Sequence, residues 1–520
     1  MSADRISLSK EQRDAANAVQ DGVKNVAILA AAGSGKTTTI AQTAIELIED
    51  YGVDQEDIIL LSFSTEAVAE LQTRLGAYKK SACTFHSLAF TEGSYPFGGC
   101  VDRDTKAKTT IWQAVLDKHA RAYAQQEEVQ DEGAEALFTL TLRTEEDTKV
   151  AKRLTNLATR MSAEGIRPYS AEAAGWLANN KASSSAAQYL KDYQAEVKRR
   201  GMWTYADTIA DHHDTASGGY RFVFVDEAQD MDPILLSTAI KLAKNGRLIA
   251  VGDLRQTIHV WKGANPDIFE AFANHAQTDR VYLNENRRSV PDIVELSNEV
   301  VRAHPYGNPA AVATRPPQAG TGWGIFRASP LTAALTKAEE YRVHAKEDEP
   351  VLQIGVLTRT WKELREFEDA AFKAGIRYET KQRWINTRTI DRVGTKKLSE
   401  ENCKDAKWFS RLDWLVRQDE TLTNVCAKAR EFTSAREFRD WAYAFIDGQG
   451  PRHLYLGTAH SSKGLTIETV IVAPSDRWLE PEEDEQRHAE ERLLYVALTR
   501  ARNLLFVCPT ETGKLPAACR

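Results

Sequence analysis

The segment Ala30-Ala31-Ala32-Gly33-Ser34-Gly35-Lys36-Thr37 places two glycines, an ammonium and a hydroxyl within eight positions. Gly33 and Gly35 free the backbone to curl so that successive amide N–H groups converge on an anion. The Lys36 ammonium suits β and γ phosphates, and the Thr37 hydroxyl suits Mg²⁺. The spacing matches GxxxxGK[ST] except that Ala30 holds the first glycine position. Ser34 and Thr38 border the same loop and join the nucleotide-binding candidates. The competing reading is a small-residue turn; GSGKT between a strand and a helix outweighs it. A second group, Asp226-Glu227, follows the apolar run Phe222–Val225. Asp226 there would hold Mg²⁺ through water, and Glu227 would orient and deprotonate an attacking water. A carboxylate pair at a strand end often caps a helix, but with the phosphate loop present the hydrolytic reading is preferred.

These groups need strands to carry them. Strand-like runs recur at Asn25–Leu29, Ile58–Phe63, Phe222–Val225, Leu248–Val251, Ile354–Leu357 and Thr469–Ala473, each followed by a helical pattern. That alternation predicts parallel α/β layers, with the loop after Leu29 opening the helix whose positive end faces the anion. Residues 105–200 show helical spacing and no convincing strand, which reads as an insertion and explains the 190 residues between Lys36 and Asp226. Residues 304–324, rich in Pro and Gly, read as a loop. A second α/β block resumes near Val351, and 379–449 turns helical and irregular, with Trp384, Trp408, Trp414 and Trp441. The acidic run Glu480–Glu485 reads as a solvated loop or helix start.

Composition fits this picture. The 520 residues are 42% hydrophobic and 27% charged, which excludes fibrous, disordered and membrane-spanning classes and suggests three or four domains. The N-terminus lacks the apolar run of a signal peptide, so a cytoplasmic location and no membrane partner are expected. Net charge is -7, which argues against a uniformly basic nucleic-acid coat but leaves room for a local basic groove. None of the six cysteines forms a CxxC pair, so buried free thiols are expected.

Asp226-Glu227-Ala228-Gln229-Asp230, together with the phosphate loop, resembles the UvrD/Rep/PcrA-like family of superfamily 1 DNA helicases. Further segments resemble that family's motifs in order. Leu8–Gln12 looks like its Q motif, implying that Gln12 reads adenine. Ser62–Ala67 looks like motif Ia, with Thr65-Glu66 where the family usually has Asn-Lys, and Thr84–Leu88 looks like motif Ib. Val251–Ala264 resembles motif III, making Gln256 the γ-phosphate sensor and Trp261 a base-stacking aromatic, with His259 replacing a second aromatic. Leu283–Ser289 resembles motif IV, making Arg288 an arginine finger; Arg287 stands where a Tyr usually lies against adenine. Thr458–Leu465 resembles motif V, with Thr466 in place of a Glu near the ribose, and Glu491–Arg502 resembles motif VI, making Arg500 a second arginine finger.

The resemblance spans residues 8–502 and implies two RecA-like P-loop parallel-sheet cores, each with a mainly helical insertion: core 1A over 1–90 and 200–280, insertion 1B over 91–199, core 2A over 281–378 and 450–520, and a small 2B over 379–449. It implies an ATP- and Mg²⁺-dependent translocase and helicase of 3′-to-5′ polarity, acting on single-stranded and tailed duplex DNA in repair, replication or defence. By motif position Phe63, His259 and Trp261 would stack on bases, while Ser64, Thr84, His86, Lys262 and Arg359 would touch phosphates. His460 would couple to the DNA site, a structural hydrogen bond being the competing reading. The short 2B, Thr466 and Arg287 also fit an alternative, a DNA- or nucleotide-sensing ATPase subunit of a Gabija-like antiphage complex with a nuclease partner. A non-catalytic scaffold is disfavoured by the intact Lys36, Thr37, Asp226, Glu227, Gln256, Arg288 and Arg500.

Overall fold

A computed structural model describes residues 6–93, 99–127, 145–167, 170, 172–180, 182, 185–243, 245–260, 263–306, 309–326, 332, 336, 340, 354–381, 383–394, 406–447, 454–478, 484–516 and 519. The chain divides into two units, Met1–Ala30 with Gly35–Leu283, and Asn284–Arg520 with Ala31–Ser34.

The first unit is built on six strands: β1 (Asn25–Ala30), β2 (Ile58–Ser62), β3 (Ala82–Thr84), β4 (Phe222–Val225), β5 (Arg247–Gly252) and β6 (Thr278–Leu283). Their order is β3-β2-β4-β5-β1-β6, and every pair is parallel. The central strands are continuous apolar runs because helices cover both faces. Ile28, Leu60, Phe224 and Ile249 are buried with Ile40 and Leu71 from the covering helices. The order has a functional consequence: β5 lies between β1 and β4. The loop leaving β5 therefore sits between the loop that follows β1 and the carboxylates that follow β4.

Between β3 and β4 the described chain holds the helices Thr105–Glu127, Glu145–Ala163, Glu172–Asn179, Ala186–Arg199 and Tyr205–Thr215. The first four bury a hydrophobic core of their own, with Trp112, Leu154, Met161, Trp176, Leu190 and Tyr193. This agrees with the helical insertion expected there.

The second unit begins with two short strands, β7 (Glu285–Asn286) and β8 (Val312–Ala313), which pair in parallel. The main sheet comprises β9 (Gly322–Ile325), β10 (Ile354–Thr358), β11 (Tyr378–Glu379), β12 (Leu454–Thr458), β13 (Ile467–Val472) and β14 (Ala501–Val507), in the order β11-β12-β10-β13-β14-β9, again all parallel. Residues 304–324 are therefore not purely loop. β8 lies within this segment, and β9 starts at Gly322 and pairs with Leu504–Val507 at the sheet edge. Edge pairing through backbone groups tolerates glycines that local propensity counts against a strand.

The helices Thr387–Val393, Ala406–Gln418, Thr423–Ala429 and Ala435–Asp447 lie within the 379–449 segment. Unlike the first insertion, they share one core with the sheet: Trp408, Leu412, Val425 and Phe438 are buried together with Ile354, Val356, Leu454 and Ile471. Trp384 and Trp414 remain exposed. The five described cysteines are free, four of them buried. No described helix is long and apolar enough to cross a membrane.

Candidate functional site

Most helices around the strand ends start on a side-chain cap. Ser9, Ser64, Thr84, Thr204 and Thr360 each accept a hydrogen bond from the first turn of the helix that follows. The helix Lys36–Glu49 differs: its N-cap is Gly35, and no side chain caps it. The donor groups of its first turn are thus left for an external anion. Gly33 (φ 72°) and Gly35 (φ 82°) both hold the left-handed conformation that lets the loop turn inward. A Cβ on Gly35 would come within 2.5 Å of Gln12 Nε2, so a side chain here would displace the Gln12 amide. Gln12 is held there by a capping box, its Oε1 accepting from Ser9 N–H at 3.0 Å.

Across the strand ends, Thr37 Oγ1 donates to Asp226 Oδ2 at 2.9 Å, and Lys36 Nζ lies 3.5 Å from Glu227 Oε1. Asp226 is buried. Burial, and then the Glu227 charge, push its carboxyl above the usual range, while Lys36 and Thr37 oppose them. Glu227 is the one described non-glycine residue with positive φ, at 55°. Such a conformation costs about 1–3 kcal/mol and persists only where neighbours hold it. Here Gln229 Nε2 donates to Glu227 Oε2 at 2.5 Å.

That contact begins a continuous chain. Gln229 Oε1 accepts from Asp253 N–H at 3.0 Å, and Asp253 Oδ2 accepts from Gln256 Nε2 at 2.9 Å. Arg255 Nε also meets Asp253 Oδ1 at 3.3 Å, within the same buried cluster. The Lys36, Thr37, Asp226, Glu227 and Gln256 side chains are thus gathered at the ends of β1, β4 and β5. Gln229 and Asp253, given no role from the sequence, are the links between them. The available signal was Gly252 directly before Asp253: a Cβ there would lie 2.5 Å from Gln229 Oε1 and 3.0 Å from Gln229 N. Gly252→Ala should therefore push the Gln229 turn away from Asp253. We expect nucleotide binding to persist and turnover to fall by about a hundredfold, the scale of a 1 Å misplacement. Parental turnover in the purified variant would show that the chain of hydrogen bonds is dispensable.

The remaining candidates fall elsewhere. Phe63 and His86 are half-buried and line a common cavity with Tyr205. Burial lowers the His86 imidazole to about 4. Ser64 and Thr84 spend their hydroxyls as helix caps, accepting from Ala67 and Ser87 N–H. Phe85 and Trp112 are buried. His259 is half-buried; Trp261 and Lys262 lie outside the described residues.

Within the second unit Arg288 Nη1 donates to Thr499 O at 3.0 Å, next to Arg500. Arg500 is buried, its Nε donating to Val496 O at 2.9 Å. Arg287 is exposed, 3.1 Å from Glu285. Arg359 forms a two-pronged pair with Glu490, at 2.7 and 2.6 Å. His460 is half-buried in the turn after β12, its carbonyl accepting from Lys463 N–H.

Comparison with known proteins agrees with the geometry. Residues 8–277 match the UvrD/REP helicase N-terminal domain, and residues 453–508 match the UvrD-like helicase C-terminal domain. The chain is 25% identical to the ATP-dependent DNA helicase UvrD2 of Mycobacterium bovis, over 95% of this chain and 77% of that protein. It is 23% identical to a probable DNA helicase of Mycoplasma pneumoniae, over 96% of this chain and 83% of that protein. It is also 27% identical to DNA helicase IV of Escherichia coli, over 56% of this chain and 47% of that protein. With the family's N-terminal domain covering more than half of its length and the C-terminal domain following in order, the chain belongs to the UvrD/REP helicase family.

Proposed function

We propose that this protein is an ATP-driven motor that moves 3′-to-5′ along single-stranded DNA and unwinds tailed duplexes. The observation that carries the reading is the hydrogen-bonded chain Glu227–Gln229–Asp253–Gln256, which ties the hydrolytic carboxylate to the loop leaving β5. That loop continues into His259 and, by sequence, Trp261. A change at the phosphates therefore has a short covalent and hydrogen-bonded route to a base-stacking segment, as a coupling free energy between two sites requires.

The uncapped helix start and the two left-handed glycines fit a chain of phosphates. Gly33, Ser34, Gly35, Lys36, Thr37 and Thr38 would hold the triphosphate, with Gln12 at the adenine edge. Thr37 and Asp226 offer the hard oxygen donors that suit Mg²⁺. Mg²⁺ is commonly held by one or two carboxylates plus substrate phosphates rather than by an all-protein cage. When bound, Mg²⁺ neutralises charge on the phosphates. Lys36 adds a cation at the β and γ positions, Gln256 orients toward the γ-phosphate, and Glu227 accepts the proton of the attacking water. By motif position Arg288 and Arg500 would add charge stabilisation in the transition state.

The reading is tested by ATP turnover with and without single-stranded DNA, followed by strand displacement on 3′-tailed and 5′-tailed duplexes. Stimulation and preferential opening of the 3′-tailed duplex are expected. DNA-stimulated turnover without displacement would instead favour a DNA-sensing ATPase working within a larger complex. The logarithm of single-strand affinity should also fall linearly with log salt, with a slope of about -0.7 per phosphate engaged. A salt-independent affinity would remove the phosphate contacts from the account.

A further inference from the structure

The segment 304–324 carries a half-buried side chain to which no motif gives a role, Arg315. Backbone register delivers it. β7 pairs with β8 so that Glu285 faces Val312 and Asn286 faces Ala313. Thr314 N–H then donates to Asn286 O at 2.9 Å and carries the pairing one step further. Two residues beyond the last pair, Arg315 comes level with Arg288. There the side chain takes over from the backbone, Arg315 Nη1 donating to Arg288 O at 2.7 Å.

The same guanidinium reaches the start of β14. Arg315 Nη1 also donates to Arg502 O at 3.1 Å, and Nη2 donates to Asn503 Oδ1 at 2.8 Å. Arg502 and Asn503 form a bulge. Ile467 pairs with Ala501 but Thr469 pairs with Leu504, so β14 holds one residue more than β13 over this stretch. Bulges bend a strand and re-aim the side chains beside them. This one is tied down from β13, where Glu468 accepts from Arg502 Nη1 at 2.8 Å and from Asn503 Nδ2. Ser289 Oγ and Val290 N–H join the same two segments, donating to Ala501 O at 2.6 Å and to Arg502 O at 3.1 Å. Of these ties, Arg315 is the one that grips the backbone of Arg288 itself. The rigid planar fork of a guanidinium serves all three acceptors at once, which the single ammonium of a lysine does not.

We propose that Arg315 is a positioning residue for ATP hydrolysis: by fixing the Arg288 backbone against the β14 bulge, it sets where the Arg288 guanidinium stands relative to Arg500. The inference rests on the transition-state roles proposed above for Arg288 and Arg500. Arg500 directly precedes β14, so Arg315 refers both arginines to the same strand end. Charge donors work when they are preorganised at the developing charge, and a displacement of about 1 Å costs on the order of a hundredfold. Arg315 acts here through Arg288, since its own donors are spent on carbonyl and amide oxygens.

The test measures kcat and KM for ATP, with saturating single-stranded DNA, in the full chain and five variants of it: Arg315→Ala, Arg315→Lys, Asn503→Ala, Arg288→Ala and the double variant Arg315→Ala with Arg288→Ala. Arg315→Ala should lower kcat by about ten- to a hundredfold, with KM within about twofold of the parent, the signature of an interaction realised only in the transition state. Arg315→Lys reaches a single acceptor and should recover part of the loss. Asn503→Ala frees one arm of the fork and should show the same kcat loss in weaker form; it carries the test if Arg315→Ala does not fold. The double variant should turn over no more slowly than Arg288→Ala, because residues that act as a unit are not additive. Parental kcat in folded Arg315→Ala or Asn503→Ala, or losses that multiply in the double variant, overturns the proposal. Parental turnover in Arg288→Ala removes the arginine-finger reading and the inference with it, whereas a loss in Arg288→Ala with none in Arg315→Ala defeats the inference alone.

Discussion

Glu227→Gln should leave nucleotide bound while slowing hydrolysis by about 10²–10⁴-fold, the range that a positioned general base contributes. Glutamine keeps the length of the side chain, and its carbonyl can still accept from Gln229 Nε2. It also inherits the left-handed backbone at φ 55°, so the strain at this position is unchanged. What disappears is the ability to take a proton from water, together with the negative charge 3.5 Å from Lys36 Nζ. Loss of that charge leaves the ammonium freer to engage phosphate, so affinity should hold or rise. Nucleotide affinity from a fluorescent analogue and steady-state turnover should therefore separate. Equal losses in both would mean that Glu227 supports the fold of the turn rather than the chemistry.

Lys36→Ala should reduce turnover by about 10²–10³-fold or more, the cost of removing one preorganised charge donor from a developing anion. The ammonium is nearly buried at the first position of the uncapped helix, directly beside both carboxylates. Without it Asp226 loses a group that opposes the upward push of burial and of Glu227. The deficit should thus appear in nucleotide binding as well as in turnover, which distinguishes this variant from Glu227→Gln. Alanine is a good helix former, so cooperative unfolding should persist. Parental turnover in a folded variant would mean that the loop is not the phosphate site.

Much of this arrangement is legible in the residues themselves. The six strand runs read from the sequence all form, because central strands of a parallel sheet are buried on both faces and leave a continuous apolar signature. Of the strands that escaped notice, β3, β6 and β9 lie at sheet edges, whereas β12 and β14 are interior strands of the second sheet. β6 reads Thr-Asp-Arg-Val-Tyr-Leu and is only partly buried, β3 has three residues, and β9 contains two glycines. The phosphate loop and the carboxylate pair were visible because their chemistry is local. Gln229 and Asp253 were not, because their roles depend on β5 lying between β1 and β4, and strand order is not written in any one segment. The cavity lined by Phe63, Trp112 and Asp232 was invisible for the same reason: these residues are far apart along the chain.

The two insertions differ in how they are anchored, and this bears on what evolution or an engineer can change. The four helices from Thr105–Glu127 to Ala186–Arg199 bury their own core, so their loss or replacement leaves the hydrophobic face of the first sheet largely dressed. Those between β11 and β12 hold Trp408, Leu412, Val425 and Phe438 against Ile354 and Leu454. Deleting that segment would strip the sheet of one of its covering layers and expose a broad apolar surface, with the aggregation that follows. The first insertion is an accessory that can be exchanged, while the second has become part of the hull.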